Sequence, residues 1–241
     1  MFKKENFTII LILLVFLISV KMAEAPFSEC PGDTTNGIWE LSTKWKVNLS
    51  VVCYNITIKA GGQLVIENGT TIINITTGNL SIEVGGLINA TGTGYAGGAN
   101  SGNGPGGAIN RSAGGSFGGR GGTLLNTGVG SRAAASVYGN PLEPLDIGSG
   151  GAGDGTRIGY GGGGSVLINV TQELSLQGRI LADGNKTTQS SFNVGAGSGG
   201  SILVYTYNLT GSGNFSAKGG VGRNAPGGGG RIAIYYNYST L

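Results

Sequence analysis

Apolar and polar residues alternate along several short stretches of the chain, and a two-residue period of this kind predicts β-strands. In SVLINV at 165–170, Val166, Ile168 and Val170 share one face, whereas Asn169 lies on the other. The stretches NITI at 55–58 and TTIINIT at 70–76 alternate in the same way. No helical period appears after the first 25 residues, so we expect an all-β protein.

The alternating stretches recur, and glycine marks where each copy begins. The first repeat comprises GGSVLINV at 163–170, GGSILVYT at 199–206 and GGRIAIYY at 229–236. The second comprises GGLINATG at 85–92, QGRILADG at 177–184 and SGNFSAKG at 212–219. Repeated short strands separated by Gly, Asn or Asp are typical of a parallel β-helix, whose successive coils stack like residues into columns.

Aligning the repeats assigns each column a direction. The apolar columns, predicted to face the core, are Val166/Ile202/Ile232, Ile168/Val204/Ile234, Ile88/Ile180/Phe215 and Ala90/Ala182/Ala217. The columns predicted to face outward are Ser165/Ser201/Arg231, Asn89/Leu181/Ser216 and Leu87/Arg179/Asn214. Gly92, Gly184 and Gly219 are expected to form corners, where glycine tolerates a positive φ or a close backbone approach.

Glycine replaces the alternating pattern in the middle of the chain, where residues 85–164 hold 29 glycines in 80 positions. A strict Gly-x-y repeat is missing, which excludes collagen. A disordered low-complexity loop is the alternative, but Phe117, Tyr138 and Leu142 are anchors that a flexible linker lacks. We expect residues 93–164 to form a glycine-rich insertion that packs along one side of the β-helix, partly irregular or polyglycine-like.

The first 25 residues have the features of a secretory signal peptide, with an uncleaved anchor as the alternative. Two lysines precede a 14-residue apolar run, Phe7 to Val20, which is shorter than the roughly 20 residues of a membrane span. Ala23-Glu24-Ala25 supplies a cleavage motif. The remaining chain is predicted to comprise a cap segment at 26–47, first coils at 48–92, the insertion, and further coils at 165–241 that end without a cap.

The exported chain carries two cysteines and little net charge. Cys30 and Cys53 are predicted to form a disulfide that ties the N-terminal segment to the first strands, because an even cysteine count after an export signal is typical of oxidising compartments. Two free buried thiols are the alternative. Residues 26–241 hold 12 basic and 10 acidic side chains, and this near-balance argues against a nucleic-acid partner.

Glycosylation sequons are the strongest compositional signal, because 13 of the 20 asparagines lie in N-x-S/T. One, Asn6, falls in the signal segment. The predicted glycosylation sites are Asn48, Asn55, Asn68, Asn74, Asn79, Asn89, Asn110, Asn169, Asn185, Asn208, Asn214 and Asn237. In the strand patterns they face away from the apolar residues, as a sugar-bearing asparagine must. The alternative is that Asn and Thr are present because they suit turns and stacked ladders.

The sequence offers few groups for catalysis or for cofactor binding. It has no histidine, which excludes His-based triads and His-ligated zinc. GTGYAG at 92–97 fits a dinucleotide-binding pattern, but no helix pattern follows it. GGAGDGTRI at 150–158 is close to a calcium-binding nonapeptide, which would use Asp154 with Asp146, although a turn aspartate explains the motif more simply. We expect no metal, no cofactor and no catalytic residues.

Several glycine-rich stretches resemble one family of modules: GGSFGGRGG at 114–122, VYGNPLEPLDIGSGGAGDG at 137–155 and GGGGSVLINV at 161–170. They are similar to the glycine-rich parallel β-helix module of large microbial and archaeal cell-surface proteins, and GNLSIEVGGLINATGTGYAGG at 78–98 resembles the start of that module. The resemblance covers most of residues 48–236. It implies a right-handed, pectin-lyase-like β-helix that serves as an extracellular scaffold, without an established catalytic set to carry over.

These observations favour a non-enzymatic, secreted or cell-surface β-helix protein that acts as a glycosylated envelope scaffold or adhesin. The expected partners are surface polysaccharide, other envelope proteins, or a second copy that associates through the uncapped C-terminal coil. Tyr205, Tyr207, Tyr235 and Tyr238 would form an outward aromatic strip for sugars, unless they serve only in packing. The alternative function is a calcium-assisted polysaccharide lyase or hydrolase that uses Arg157 beside Asp154.

Overall fold

The computed structural model describes residues 30–31, 37–67, 72–123, 135–186, 194–222 and 225–240, and these residues form an all-β structure. The signal segment and Asn68 lie outside the described residues. Alternating patterns become strands at the predicted places. The strands are β1 (Ile38–Leu41), β2 (Lys44–Val47), β3 (Val51–Ile58), β4 (Gln63–Ile66), β5 (Ile73–Ile82), β6 (Leu87–Asn89), β7 (Ser165–Leu176), β8 (Arg179–Leu181), β9 (Ser201–Gly211), β10 (Asn214–Ser216) and β11 (Arg231–Thr240).

The strands form two sheets, and all of their pairings are parallel. The odd-numbered strands make a six-stranded sheet in the order β1-β3-β5-β7-β9-β11, and the even-numbered strands make a five-stranded sheet in the order β10-β8-β6-β4-β2. The chain therefore alternates between the sheets and adds one strand to each on every pass. β1 and β2, in the predicted cap segment, already belong to these sheets.

The pairing registers confirm the predicted columns. Val166 lies opposite Ile202, which lies opposite Ile232. Ile180 likewise pairs with Ile88 on one side and with Phe215 on the other. A one-residue slip would turn every apolar side chain to the opposite face, and the glycines that begin each repeat distinguish the register from a shift of two residues.

The columns run through one apolar core between the two sheets. Ile75, Ile168 and Val204 lie next to one another in register and are fully buried. The columns become exposed at β11, where Ile232 has 41% of its surface open to solvent. The column that ends at Ile232 is therefore part of the core in β5, β7 and β9 but exposed in β11.

The predicted exposure of the outward columns is wrong for several residues. Ser165 and Ser201 are fully buried, because the glycine-rich segment covers this part of the outer face and Ser201 Oγ donates to the carbonyl of Asp146. Ser216 is also buried and donates to Asp183 Oδ1 at 2.6 Å. Leu87 is buried as well. The alternating pattern identified which face of the sheet each side chain occupies, but it did not indicate that the glycine-rich segment would cover part of the outer face.

The glycine-rich residues hydrogen-bond laterally to one another and form what we term the glycine bundle. It comprises segments 93–98, 102–108, 112–122, 147–153, 159–164, 194–200 and 225–230. Lateral bonds recur every third residue: Gly148 and Gly151 donate to Gly163 and Tyr160. Three residues per turn is the repeat of an extended polyproline-II-type helix, which cannot bond internally and must use neighbours. Segments from both halves of the chain thus join in one bundle.

Close backbone approach explains most of these glycines. A Cβ added at Gly148, Gly151 or Gly197 would overlap a carbonyl of a neighbouring segment. The predicted corners require glycine for two different reasons. Gly92 has a positive φ of 71°, whereas at Gly184 a Cβ would overlap the carbonyl of Gly197. Gly219 resembles Gly184 in this respect.

Side chains at the edge of the glycine bundle attach it to the six-stranded sheet. The Arg231 guanidinium at the start of β11 donates to the carbonyl of Tyr138 at 2.9 Å and lies over the Phe117 ring at 5.6 Å. The rings of Phe117 and Tyr138 pack with centroids 4.7 Å apart. Burial raises the pKa of Tyr138 to about 12, so its hydroxyl stays protonated at neutral pH and donates to the carbonyl of Ile147.

The predicted disulfide between Cys30 and Cys53 is present. Cys53 lies in β3, so the bond attaches a residue that precedes β1 to the second strand of the six-stranded sheet. The bridged residues are 23 positions apart. A cross-link over this distance stabilises the fold mainly by restricting the unfolded chain.

Candidate functional site

The described sequon asparagines all lie at the surface or partly exposed, and none is buried. The exposed ones are Asn48, Asn185, Asn214 and Asn237. The partly exposed ones are Asn55, Asn74, Asn79, Asn89, Asn110, Asn169 and Asn208. The strand patterns therefore placed Asn169 and Asn214 correctly outside the core.

Some of these asparagines stack on one another across the six-stranded sheet. Asn79 Nδ2 donates to Asn55 Oδ1 at 3.0 Å and to Gln172 Oε1 at 3.1 Å. On the outer face, Asn169 Nδ2 donates to Asn74 Oδ1 at 3.1 Å. Stacked amides of this kind stabilise parallel strands. The ladder interpretation of the asparagines thus applies to a definite subset.

Four tyrosines form an exposed aromatic surface on β9 and β11, which we term the tyrosine surface. Tyr205 stacks on Tyr235 with ring centroids 5.2 Å apart, and Tyr207 meets Tyr238 edge to face at 5.4 Å. Tyr235 is oriented by donating its hydroxyl to the carbonyl of Leu142 at 2.6 Å. Apolar rings with polar tips, held in fixed positions, complement the C–H faces and hydroxyl edges of a saccharide.

Two members of the tyrosine surface, Tyr205 and Tyr207, have hydroxyl pKa values above the ordinary value for tyrosine. Burial, with a smaller contribution from the Glu143 carboxylate, raises the pKa of Tyr205 above its ordinary value. Hydrogen bonding to Tyr238 raises the pKa of Tyr207. A raised phenol pKa favours the neutral form, so both hydroxyls remain available as donors well above neutral pH.

Of the two candidate calcium residues, Asp154 forms its hydrogen bonds within a local turn. Asp154 Oδ1 accepts from the backbone N–H groups of Thr156 and Arg157, and Oδ2 accepts from the Arg157 guanidinium at 2.6 Å. These backbone bonds lower the pKa of the Asp154 carboxyl. Within the described ranges, no three His, Cys, Asp or Glu side chains come together as a metal site would require. Arg157, which the lyase or hydrolase alternative would use beside Asp154, is thus hydrogen-bonded to that aspartate.

The comparisons with known proteins give no relative: no family model, no curated protein and no solved structure matches the chain. In the part of the chain that the structure describes, no helix has the length and apolar character needed to cross a bilayer.

The contacts that sequence reasoning missed join residues far apart in the chain. The bond from Tyr235 to Leu142 spans 93 positions, and no local pattern encodes it. The pairing of Asn55 with Asn79 had a usable signal, because NITI at 55–58 and NLSI at 79–82 share the pattern Asn, aliphatic, Ser or Thr, Ile. Aligning these polar positions, rather than only the apolar ones, would have indicated the ladder.

Proposed function

We propose that this protein is a secreted or cell-surface parallel β-helix with no enzymatic activity, which acts as a glycosylated scaffold or adhesin and contacts surface polysaccharide. Its coils wind in the right-handed sense that parallel crossovers favour. The observation that carries the proposal is the tyrosine surface, which lies on β9 and β11, two paired strands of the six-stranded sheet.

Three features support an extracellular role. The disulfide between Cys30 and Cys53 suits an oxidising compartment. The exposed sequons offer attachment points for solubilising sugars, which a surface of low charge needs. The closely hydrogen-bonded glycine bundle leaves few free backbone groups for a protease to engage.

Polysaccharide binding is tested with Tyr238→Ala. The ring is 62% exposed, and its edge-to-face contact and hydrogen bond with Tyr207 lie at the surface rather than in the core, so the variant should fold normally. We expect affinity for a bound polysaccharide, measured by affinity electrophoresis against a panel of neutral and acidic polymers, to fall roughly 3–10-fold through loss of one aromatic contact. Tyr54→Ala, which removes an equally exposed ring from β3, is the matched control and should bind like the parent protein.

Equal binding by both tyrosine variants would contradict the assignment of the tyrosine surface. The same panel tests the enzymatic alternative when calcium is added and unsaturated or reducing ends are measured. Turnover that Arg157→Ala abolishes would replace the scaffold proposal by a lyase or hydrolase.

The exposed column ends at β11 support self-association as a second mode of contact. Among the described residues, β11 pairs with β9 on one edge only, and Ile232 continues a buried column into solvent. We expect Ile232→Lys to shift the full chain towards monomer in sedimentation velocity, while Val84→Lys, at an exposed position between β5 and β6 in the interior of both strand orders, leaves the distribution unchanged. A monomeric parent protein at high concentration would refute the association.

A further inference from the structure

The sequon asparagines divide into two structural classes, and one class forms part of the sheet. Asn55 and Asn79 lie directly opposite each other in the pairing of β3 with β5. Asn208 of β9 continues this column through Glu173. Three sequons thus occupy one column at the same bend of the six-stranded sheet.

Hydroxyl groups fix the backbone at this bend in the same way in two strands. Thr77 Oγ1 donates to the carbonyl of Asn79 at 3.0 Å, and Thr206 Oγ1 donates to the carbonyl of Asn208 at 2.8 Å. Thr77 and Thr206 are both buried. The asparagines that follow them are therefore held in repeated, specified positions.

The side-chain amide of Asn79 has no hydrogen left for a sugar. Its two N–H groups are donated to Asn55 and Gln172, and an N-linked glycan would replace one of them. Because neighbouring strands are only about 4.8 Å apart, a sugar on this nitrogen would also have to displace the side chains of Asn55 and Gln172 that contact it. Asn169 donates one amide N–H group to Asn74 on the outer face, so a sugar on its nitrogen would have to be accommodated beside this bonded pair.

Asn48, Asn214 and Asn237 present the opposite case. Their side chains are exposed, and Asn214 and Asn237 lie on β10 and β11, the strands at one edge of each sheet. A glycan there projects into solvent without breaking a stacked amide pair. Asn185 is exposed too, but its side chain lies against the backbone of Gly92, so it is left out of the comparison.

We propose that glycans are carried by Asn48, Asn214 and Asn237, whereas Asn79 and Asn169 remain unmodified and act as ladder residues of the six-stranded sheet. This inference rests on the proposed glycosylated surface, and it names which sequons serve it. Sequon spacing alone treats all of these asparagines as equivalent; their side-chain contacts do not.

Site-resolved glycopeptide mass spectrometry tests which of these asparagines carry glycans. The full chain is secreted from a host with an N-glycosylation pathway, and only the monodisperse fraction with a cooperative melting transition is digested. We expect most copies to be modified at Asn48, Asn214 and Asn237 and few at Asn79 or Asn169. Predominant modification of Asn79 or Asn169 in this folded fraction would overturn the inference. A chain without any glycan would refute the glycosylated surface itself.

Thermal melting independently tests the role of Asn79 as a ladder residue, and it uses protein refolded or produced without glycans. Asn79→Ala leaves the amides of Asn55 and Gln172 without their partner, and we expect the melting temperature to fall by about 4 °C or more. The matched control, Asn214→Ala, removes an exposed amide and should change it by less than about 1 °C. Equal effects of the two substitutions would show that Asn79 is not a ladder residue, whatever the glycan map shows.

Discussion

Replacing Gly195 by alanine is expected to lower the melting temperature by roughly 6–12 °C, equivalent to about 3 kcal/mol in a chain of this size. Gly195 donates to the carbonyl of Ala152 and accepts from the N–H of Tyr160, so two neighbouring segments hold it in place. A methyl group would overlap the carbonyl of Ala113. The backbone must therefore move, and the bonds that define the glycine bundle must lengthen together.

Gly229→Ala is the matched control, since a Cβ at this exposed glycine meets nothing within 4 Å. It also lies in the glycine bundle, and its carbonyl accepts from Gly119. Differential scanning calorimetry of both variants separates the close-packing effect from the loss of chain flexibility that any Gly→Ala change brings. If Gly195→Ala had the same melting temperature as the parent protein, the segments that neighbour Gly195 would have to lie further apart than they do in the structure.

Ile168→Ala is expected to destabilise the protein by about 3–4 kcal/mol, which corresponds to a fall of roughly 7–14 °C in melting temperature. Ile168 is fully buried, with Ile75 and Val204 directly opposite it in the two neighbouring strands. Truncation leaves a cavity in the middle of a column. Strands on both sides constrain its walls, so the space cannot close easily.

The control is Ile232→Ala, the same substitution at the exposed end of the neighbouring column Val166/Ile202/Ile232, where the β11 side chain is 41% exposed. In dilute protein it should lower the melting temperature by less than about 4 °C, and urea denaturation should give the same ranking. A loss at Ile232 as large as that at Ile168 would mean that β11 is covered in solution, as the proposed self-association requires at higher concentration.

The alternating pattern was enough to predict the strands, and the glycines that mark each repeat indicated their registers. Val166, Ile202 and Ile232 were aligned from glycine-anchored repeats, and they lie opposite one another in the sheets. The pairing of Cys30 with Cys53 also followed from the cysteine count. These predictions succeed because a two-residue period is a local property that fixes which side chains share a face.

The same local rule failed for the outward serines, because exposure depends on the rest of the molecule. Ser201 lies under a segment that comes more than fifty residues earlier in the chain. For the tyrosine surface, the pattern indicated an outward strip, but the contact of Tyr235 with Leu142 that orients it is long-range.

The sequence by itself determined the strands, their registers, the apolar columns and the disulfide, since each depends on residue type at fixed spacing. Only the tertiary structure decided how the glycine-rich segments are used. A helix with three residues per turn has no internal hydrogen bonds, so its partners must come from elsewhere in the chain: Gly151 donates to the carbonyl of Tyr160 and accepts from the N–H of Gly98. It also decided which asparagines are bound in ladders and which face solvent, because identical N-x-S/T spacing does not say what the amide contacts.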